Sequence, residues 1–295
     1  MTRPTMIRDL WPLHPAVPRI DRLALRSGHL PGYCNVCGSV TVFTVRDPNL
    51  RDTVNCRKCG STNRQRQIAA VLLSTASPGA SSGRFADVGD LPLETVVWIA
   101  ETTTALKEYL ARRLGSNCIS SEYLDPSLAS GETRDGTLHV DMQQTHFEES
   151  SLDFVVSCDV MEHIPSVNRV LQETYRVLKP GGCHIFTAPF YLHRFTNEQR
   201  SVLDDSGELR HLRRPWYHGD PLRSEGALVF NVFAPEVLCQ LEDAGFAAKL
   251  CRVYSPLHGI LGNNGIVIVA RKAPRPDSVT DDIFPNDPWA PDEPG

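Results

Sequence analysis

Apolar runs and amphipathic stretches alternate along most of the chain. Thr95–Ala100 is a continuous apolar run, as a strand buried on both faces would be. Thr104–Leu114 then puts Leu106, Leu110 and Leu114 on one helical face. Strands are predicted at Asn117–Tyr123, Thr137–Val140 and Leu152–Ser157. The next period is helical, over Ser166–Leu178, with Ser166 as N-cap and Val167, Val170, Leu171, Thr174 and Leu178 on the buried face. Lys179-Pro180-Gly181-Gly182 stops that helix. Cys183–Ala188 predicts another strand and Pro235–Ala244 a helix closed by Gly245. Ala247–Tyr254 and Gly265–Arg271 predict the last two strands. Seven strands alternating with helices imply an α/β, Rossmann-like, mostly parallel seven-stranded sheet with helices on both faces.

Outside this region the pattern changes. Residues 1–30 are rich in Pro and Arg, have no sustained period, and read as an arm. Residues 31–75 hold two cysteine pairs and a following helix from Asn63, marked by Ile68, Val71 and Leu72. The Ser/Gly/Pro-rich loop Ser77–Gly83 separates them from the α/β domain at 84–272. That domain is interrupted by a polar, His- and Arg-rich insert at 189–228. Residues 273–295 are Pro- and Asp-rich and read as a disordered tail.

Composition narrows the class. Of 295 residues, 41% are hydrophobic, enough for a substantial core. No apolar run reaches membrane-spanning length, and Pro4, Pro12, Pro15 and Pro18 break up any leader-like pattern, so a soluble, cytoplasmic protein is expected. Residues 1–72 hold eleven Arg and Lys against four Asp, a balance of +7, so the remainder carries −5 − 7 = −12. A basic module on an acidic body hints at an anionic partner for the N-terminal part, although a solubilising surface around a zinc site is the simpler reading.

Four of the nine cysteines form Cys34-x-x-Cys37 and Cys56-x-x-Cys59, separated by eighteen residues. Gly38 and Gly60 close the two pairs, where glycine permits a tight turn. Four thiolates at this spacing predict a closed, structural zinc ribbon with no open catalytic position. The other five cysteines lie scattered through the chain, which suits a reducing compartment.

Residues 152–189 carry the second signal: an apolar strand, the loop Cys158–Pro165, a helix, Lys-Pro-Gly-Gly and another strand. In open α/β sheets, ligands bind beyond the carboxyl ends of the strands. This stretch resembles class I S-adenosylmethionine-dependent methyltransferases of the small-molecule type, and a weaker resemblance extends over about residues 84–271. It implies S-adenosylmethionine as cofactor, beside Cys158 and Asp159. It also implies that Glu122, with Tyr123, meets the ribose hydroxyls, and that Asp141 and Met142 flank the adenine. The family's strand-one glycine loop is replaced here by Ile99-Ala100-Glu101-Thr102-Thr103-Thr104. Small residues at Ala100, Thr102 and Thr104 partly substitute for glycine, and Glu101 is placed to receive the cofactor's ammonium. Asp159-x-x-Glu162-His163 resembles a group that binds a divalent metal in ubiquinone-pathway and small-RNA methyltransferases. That resemblance implies Mg²⁺ on Asp159, Glu162 and His163, with His163 as general base the rival role.

The insert brings His193, Arg194, His211, Trp216, Tyr217, His218 and Asp220. A long polar connection over a ligand-binding face is commonly a lid or substrate site. Flat aromatic rings beside His and Asp suit a sugar. The expected reaction is methylation of a hydroxyl on a saccharide or other polar small molecule, with His163, then His218 or His193, as base. Two alternatives use the same residues: an RNA methyltransferase whose basic ribbon binds phosphates, and a non-catalytic scaffold of the same fold, favoured by the missing glycines.

Overall fold

A computed structural model describes residues 5–6, 19–76, 85–204, 206–219, 224–262 and 265–273. Most of the expected arm, the Ser77–Gly83 loop, Asp220 and all but the first residue of the expected tail lie outside these. Among the described residues, no helix is long and apolar enough to cross a membrane.

The N-terminal part forms α1 (Arg19–Ser27), then β1 (His29–Cys34) and β2 (Ser39–Val45). The short α2 (Leu50–Thr53), β3 (Val54–Cys56) and α3 (Asn63–Ala76) follow. β1, β2 and β3 make an antiparallel three-stranded sheet. The α/β part begins with β4 (Val97–Ile99), α4 (Ala105–Leu114) and β5 (Cys118–Ser120). It continues through β6 (Leu152–Cys158), α5 (Val167–Val177) and β7 (Leu178–Thr187). It ends with α6 (Glu236–Asp243), β8 (Phe246–Tyr254) and β9 (Ile266–Lys272).

The main sheet has seven strands in the order Thr5–Met6, β8, β9, β7, β6, β4, β5. Neighbours among β7, β6, β4 and β5 are parallel. β9 joins β7 antiparallel, β8 joins β9 antiparallel, and Thr5–Met6 lies antiparallel along β8. The strand expected at Thr137–Val140 is reduced to a two-residue hairpin arm and a single bridge from His139 to Glu122. Two residues of the expected arm supply a seventh strand instead. α1 also corrects the arm. Its Asp21 is buried and accepts hydrogen bonds from the Tyr254 hydroxyl at 2.9 Å and the Gly262 amide at 3.0 Å. The helix is hard to read in sequence because it buries Asp21 and Ala24 and exposes Ile20 and Leu23.

Alternation along the parallel strands sends side chains to two cores. Trp98, Val155 and Phe186 face a core shared with Val170, Leu171, Val237 and Leu241 of α5 and α6. Val97, Ile99, Val156 and Ile185 face the opposite one. That second core also contains Cys34, Val36, Phe43 and Val54 of the ribbon and Ile68, Ala69 and Leu72 of α3. The ribbon therefore shares a core with the sheet, although the sequence sets the two apart with the Ser77–Gly83 loop. Close approach is enforced at Gly32, where a Cβ would lie 2.2 Å from the Leu257 carbonyl oxygen. Arg66, fully buried, donates to the carbonyls of Ser61, Val54 and Gly259, stitching knuckle, β3 and sheet together.

Candidate functional site

The four knuckle cysteines converge as their spacing predicts. Gly38 and Gly60 take φ of +61° and +77°, and each amide hydrogen-bonds back to the carbonyl of the first cysteine of its pair at 2.9 Å. Cys34 Sγ lies 3.8 Å from Cys59 Sγ, and Cys37 Sγ lies 4.0 Å from Cys56 Sγ. A tetrahedron with Zn–S bonds of about 2.3 Å has S–S edges of about 3.8 Å. The thiols are unbridged and all four converge on one point, so they fit a zinc ion.

A cavity of about 1390 Å³ opens at the carboxyl ends of β4, β5 and β6. Ordinary ligand pockets run to about 300–1,000 Å³, so a cofactor and an acceptor can share this one. Ala100, Glu101, Glu122, Tyr123, Asp141, Met142, Cys158 and Asp159 all line it, as do His163 and His218. The glycine-free loop after β4 is ordered by its own polar groups. Glu122 Oε1 accepts from the amide and hydroxyl of Thr102, both at 2.8 Å. The Thr104 hydroxyl accepts from the Lys107 amide as the cap of α4, and donates to Glu101 at 2.6 Å. Burial lifts the Glu101 carboxyl to about 7, against the hydrogen bond from Thr104 and the pull of Arg64. Asp141 accepts from the Gln143 amide at 2.8 Å, while Met142 is buried beside it. The donor and acceptor set suits a nucleoside carrying an amino-acid end: carboxylates for hydroxyls and an ammonium, and a methionine side chain for a ring face.

Asp159 occupies a different role from the one its motif implies. It sits at φ +53° just after β6. Arg51 grips it with both terminal nitrogens, at 2.8 and 2.5 Å; Arg64 also pairs with it, and the Thr187 hydroxyl donates at 2.8 Å. Burial opposes ionisation, but the two guanidinium groups and the hydrogen bonds outweigh it and hold the carboxyl at about 2. Arg51 lies on α2 and Arg64 on the first turn of α3. Sequence reasoning missed both. The only trace was the surplus of basic residues in this region, because nothing in the local pattern ties a four-residue helix to a loop over a hundred positions away.

The groups able to hold a second metal are Glu162, His163 and His218, with one ligand atom from each within 4.8 Å of the others. This corrects the expected set, because Asp159 is engaged by two arginines and His218 takes its place. Glu162 is fully buried and neither carboxylate oxygen has a hydrogen-bond partner. Its Oε1 lies 3.7 Å from His163 Nε2 and 3.5 Å from His218 Nδ1, and burial raises its pKa. His163 Nδ1 lies 2.8 Å from the Leu228 carbonyl oxygen. An N–H at Nδ1 donates there and leaves the Nε2 lone pair toward Glu162. The insert brings these groups together. Tyr217–His218 pairs with Ala227–Leu228, and the Phe230 amide donates to the Glu162 carbonyl at 2.7 Å. The insert is thus built of short paired strands, including Ser201–Leu203 with Leu209–His211. Leu203, Trp216 and Tyr217, all partly exposed, line the cavity on this side. His193 is exposed against Tyr191, His211 pairs with Ser201 at 3.0 Å, and neither lines the cavity.

Residues 100–186 match the methyltransferase domain family. An uncharacterized methyltransferase of Mycobacteroides abscessus is 30% identical over 112 residues, a match covering 37% of this chain and 42% of that protein. The chain therefore aligns with less than half the length of that relative. Among solved structures, Streptomyces venezuelae DesVI is 16% identical, covering 72% of this chain and 92% of its own, with a TM-score of 0.42. An S-adenosylmethionine-dependent methyltransferase from Mesorhizobium loti is 14% identical, covering 60% and 90%, with a TM-score of 0.36. The family match begins at the loop after β4 and runs through β6 and its following loop to β7, so residues 100–186, which carry most of the cavity's strand-end residues, are the part of the chain similar to a methyltransferase domain.

Proposed function

We propose that the protein transfers the methyl of S-adenosylmethionine to a hydroxyl oxygen of a saccharide or other polar small molecule. The observation that carries this reading is one cavity with two kinds of wall. One wall holds Glu101, Glu122, Asp141 and Met142, suited to the cofactor. The other holds Glu162, His163, His218 and the aromatic pair Trp216 and Tyr217, suited to an acceptor. The cofactor supplies an electrophilic methyl group on a sulfonium. The protein's part is to align the acceptor oxygen and accept its proton. His163 Nε2 is the base, because its other nitrogen is held by the Leu228 carbonyl and the side chain lines the cavity. Trp216, at the rim, offers a flat face to a ring, and His218 packs edge-on against it at 4.9 Å.

A second reading has its own observation: the buried, unpartnered Glu162 between two imidazoles. Two imidazoles and a carboxylate suit a borderline divalent metal better than Mg²⁺, which prefers oxygen ligands and retained water. In this version the three side chains would hold an ion, which would supply Lewis-acid activation of the acceptor hydroxyl. Of the basic residues near the ribbon, Arg51, Arg64 and Arg66 are engaged inside the fold, whereas Arg46, Arg57 and Lys58 are exposed, so the RNA reading stays as the alternative that the experiment must separate. The test is methyl transfer from labelled cofactor to a panel of mono- and oligosaccharides, with RNA as control. Saccharide labelling with demethylated cofactor as co-product supports the proposal, and labelling of RNA alone overturns it. Chelator sensitivity, reversed by Mn²⁺ with ribbon zinc retained, selects the metal version.

A further inference from the structure

The ribbon and the cavity meet at one polar cluster. Arg51 lies between the two halves of the ribbon, on α2, with β2 before it and β3, carrying Cys56, after it. Arg64 follows Cys59 by five residues, on α3. Both guanidinium groups close on Asp159, whose loop joins β6 to Glu162 and His163. The side chains of Arg51, Asp159 and Arg64 are only 15%, 14% and 23% exposed. Arg51, Asp52, Thr62 and Arg64 line the same cavity as Glu101 and Glu122. The backbone follows the same logic. Buried Asn63 donates to the carbonyls of Leu50 at 2.8 Å and Leu261 at 2.7 Å, locking α2, α3 and the β8–β9 connection together. Buried Asn35, inside the first knuckle, donates to the Arg66 carbonyl at 2.9 Å.

We propose that the zinc ribbon is a wall of the cofactor cavity, with Arg51 and Arg64 as positioning residues, so that zinc occupancy sets the order of the Asp159 loop and with it cofactor affinity. The Cys₄ site closes both knuckles. The knuckles fix the ends of the 38–55 segment and the start of α3. Those two segments carry the arginines. A loop held at positive φ by a non-glycine residue needs such outside support, because its backbone conformation is itself unfavourable. The strand-one loop gains as well: it lacks glycine and rests on Glu101 and Thr104, with Arg64 close enough to Glu101 to attract it. The cofactor part of this inference rests on the methyltransferase reading; the loop-ordering part does not.

The experiment uses the full-length zinc-replete chain, Arg51→Gln, Arg64→Gln and zinc-depleted protein. It reads zinc content, amide exchange at residues 100–104 and 158–164, and affinity for S-adenosylhomocysteine. Arg51→Gln and Arg64→Gln should keep one zinc per chain, exchange faster at both loops and bind the cofactor product at least tenfold more weakly. Arg51→Lys should recover part of the loss, since it restores the charge without the two-pronged geometry. Zinc-depleted protein should show the same exchange change, reversed by one equivalent of zinc. Unchanged exchange at 158–164 in both arginine variants would overturn the proposal, whether or not zinc depletion unfolds the chain. Faster exchange in both variants, with a wild type that never binds S-adenosylhomocysteine, would sustain the coupling and remove the methyltransferase reading alone.

Discussion

The two walls of the cavity are finished to different degrees. On the ribbon side the charges are paired: Asp159 with Arg51 and Arg64, Glu101 with Thr104, Glu122 with Thr102. On the insert side Glu162 is buried without a hydrogen bond to its carboxyl, its Oε1 facing His163 and His218, and Trp216 and Tyr217 are 39% and 50% exposed. The insert wall thus presents a buried carboxyl between two imidazoles, whereas the ribbon wall is closed by its own ion pairs and hydrogen bonds. In the function proposed above, the difference separates two tasks: holding a cofactor in a fixed seat and receiving a variable acceptor.

Four perturbations probe that separation, in falling order of effect. His163→Ala should reduce turnover by about 10²–10⁴-fold, the usual worth of a positioned base, with cofactor affinity nearly unchanged. An equal loss in affinity would mean that the walls are not separate. Asp159→Asn should destabilise the fold by about 3–5 kcal/mol in urea melts, because it leaves two buried guanidinium groups short of their counter-charge. In the wild type, the folded-state pKa is depressed to about 2. Its contribution is therefore present above the unfolded value near 4 and lost as pH falls from about 4 to 2. Glu122→Ala should weaken binding of the demethylated cofactor by about 10–100-fold through lost charge-assisted hydrogen bonds. The smallest effect is pH dependence of cofactor affinity through Glu101, whose carboxyl burial lifts to about 7. Binding an ammonium requires the ionised form. Affinity should therefore fall as pH drops below about 7, by up to about tenfold per unit, and Glu101→Gln should flatten the profile.

The same contrast explains what the sequence made legible. The ribbon's cysteines and the apolar strand β6 are local patterns, set by short spacing and by continuous burial. The strand-end carboxylates Glu101, Glu122 and Asp141 could be placed because each lies within a few residues of a strand. What escaped depends on long-range meetings. Arg51 and Arg64 reach Asp159 across 108 and 95 positions of chain. His218 reaches Glu162 only because a hairpin in the insert folds back over the loop, so the metal-competent set named Asp159 in its stead. α1 escaped for another reason: its docking rests on a buried aspartate accepting hydrogen bonds, and apolar periodicity carries no record of that.

The central claim is that the carboxyl ends of β4, β5 and β6 seat S-adenosylmethionine. Titration of S-adenosylhomocysteine into zinc-replete protein, with amide exchange read at saturation, tests it directly. One equivalent should bind, and protection should appear at residues 100–104, 121–124 and 141–143. Absence of saturable binding, or protection confined to the insert, would contradict it.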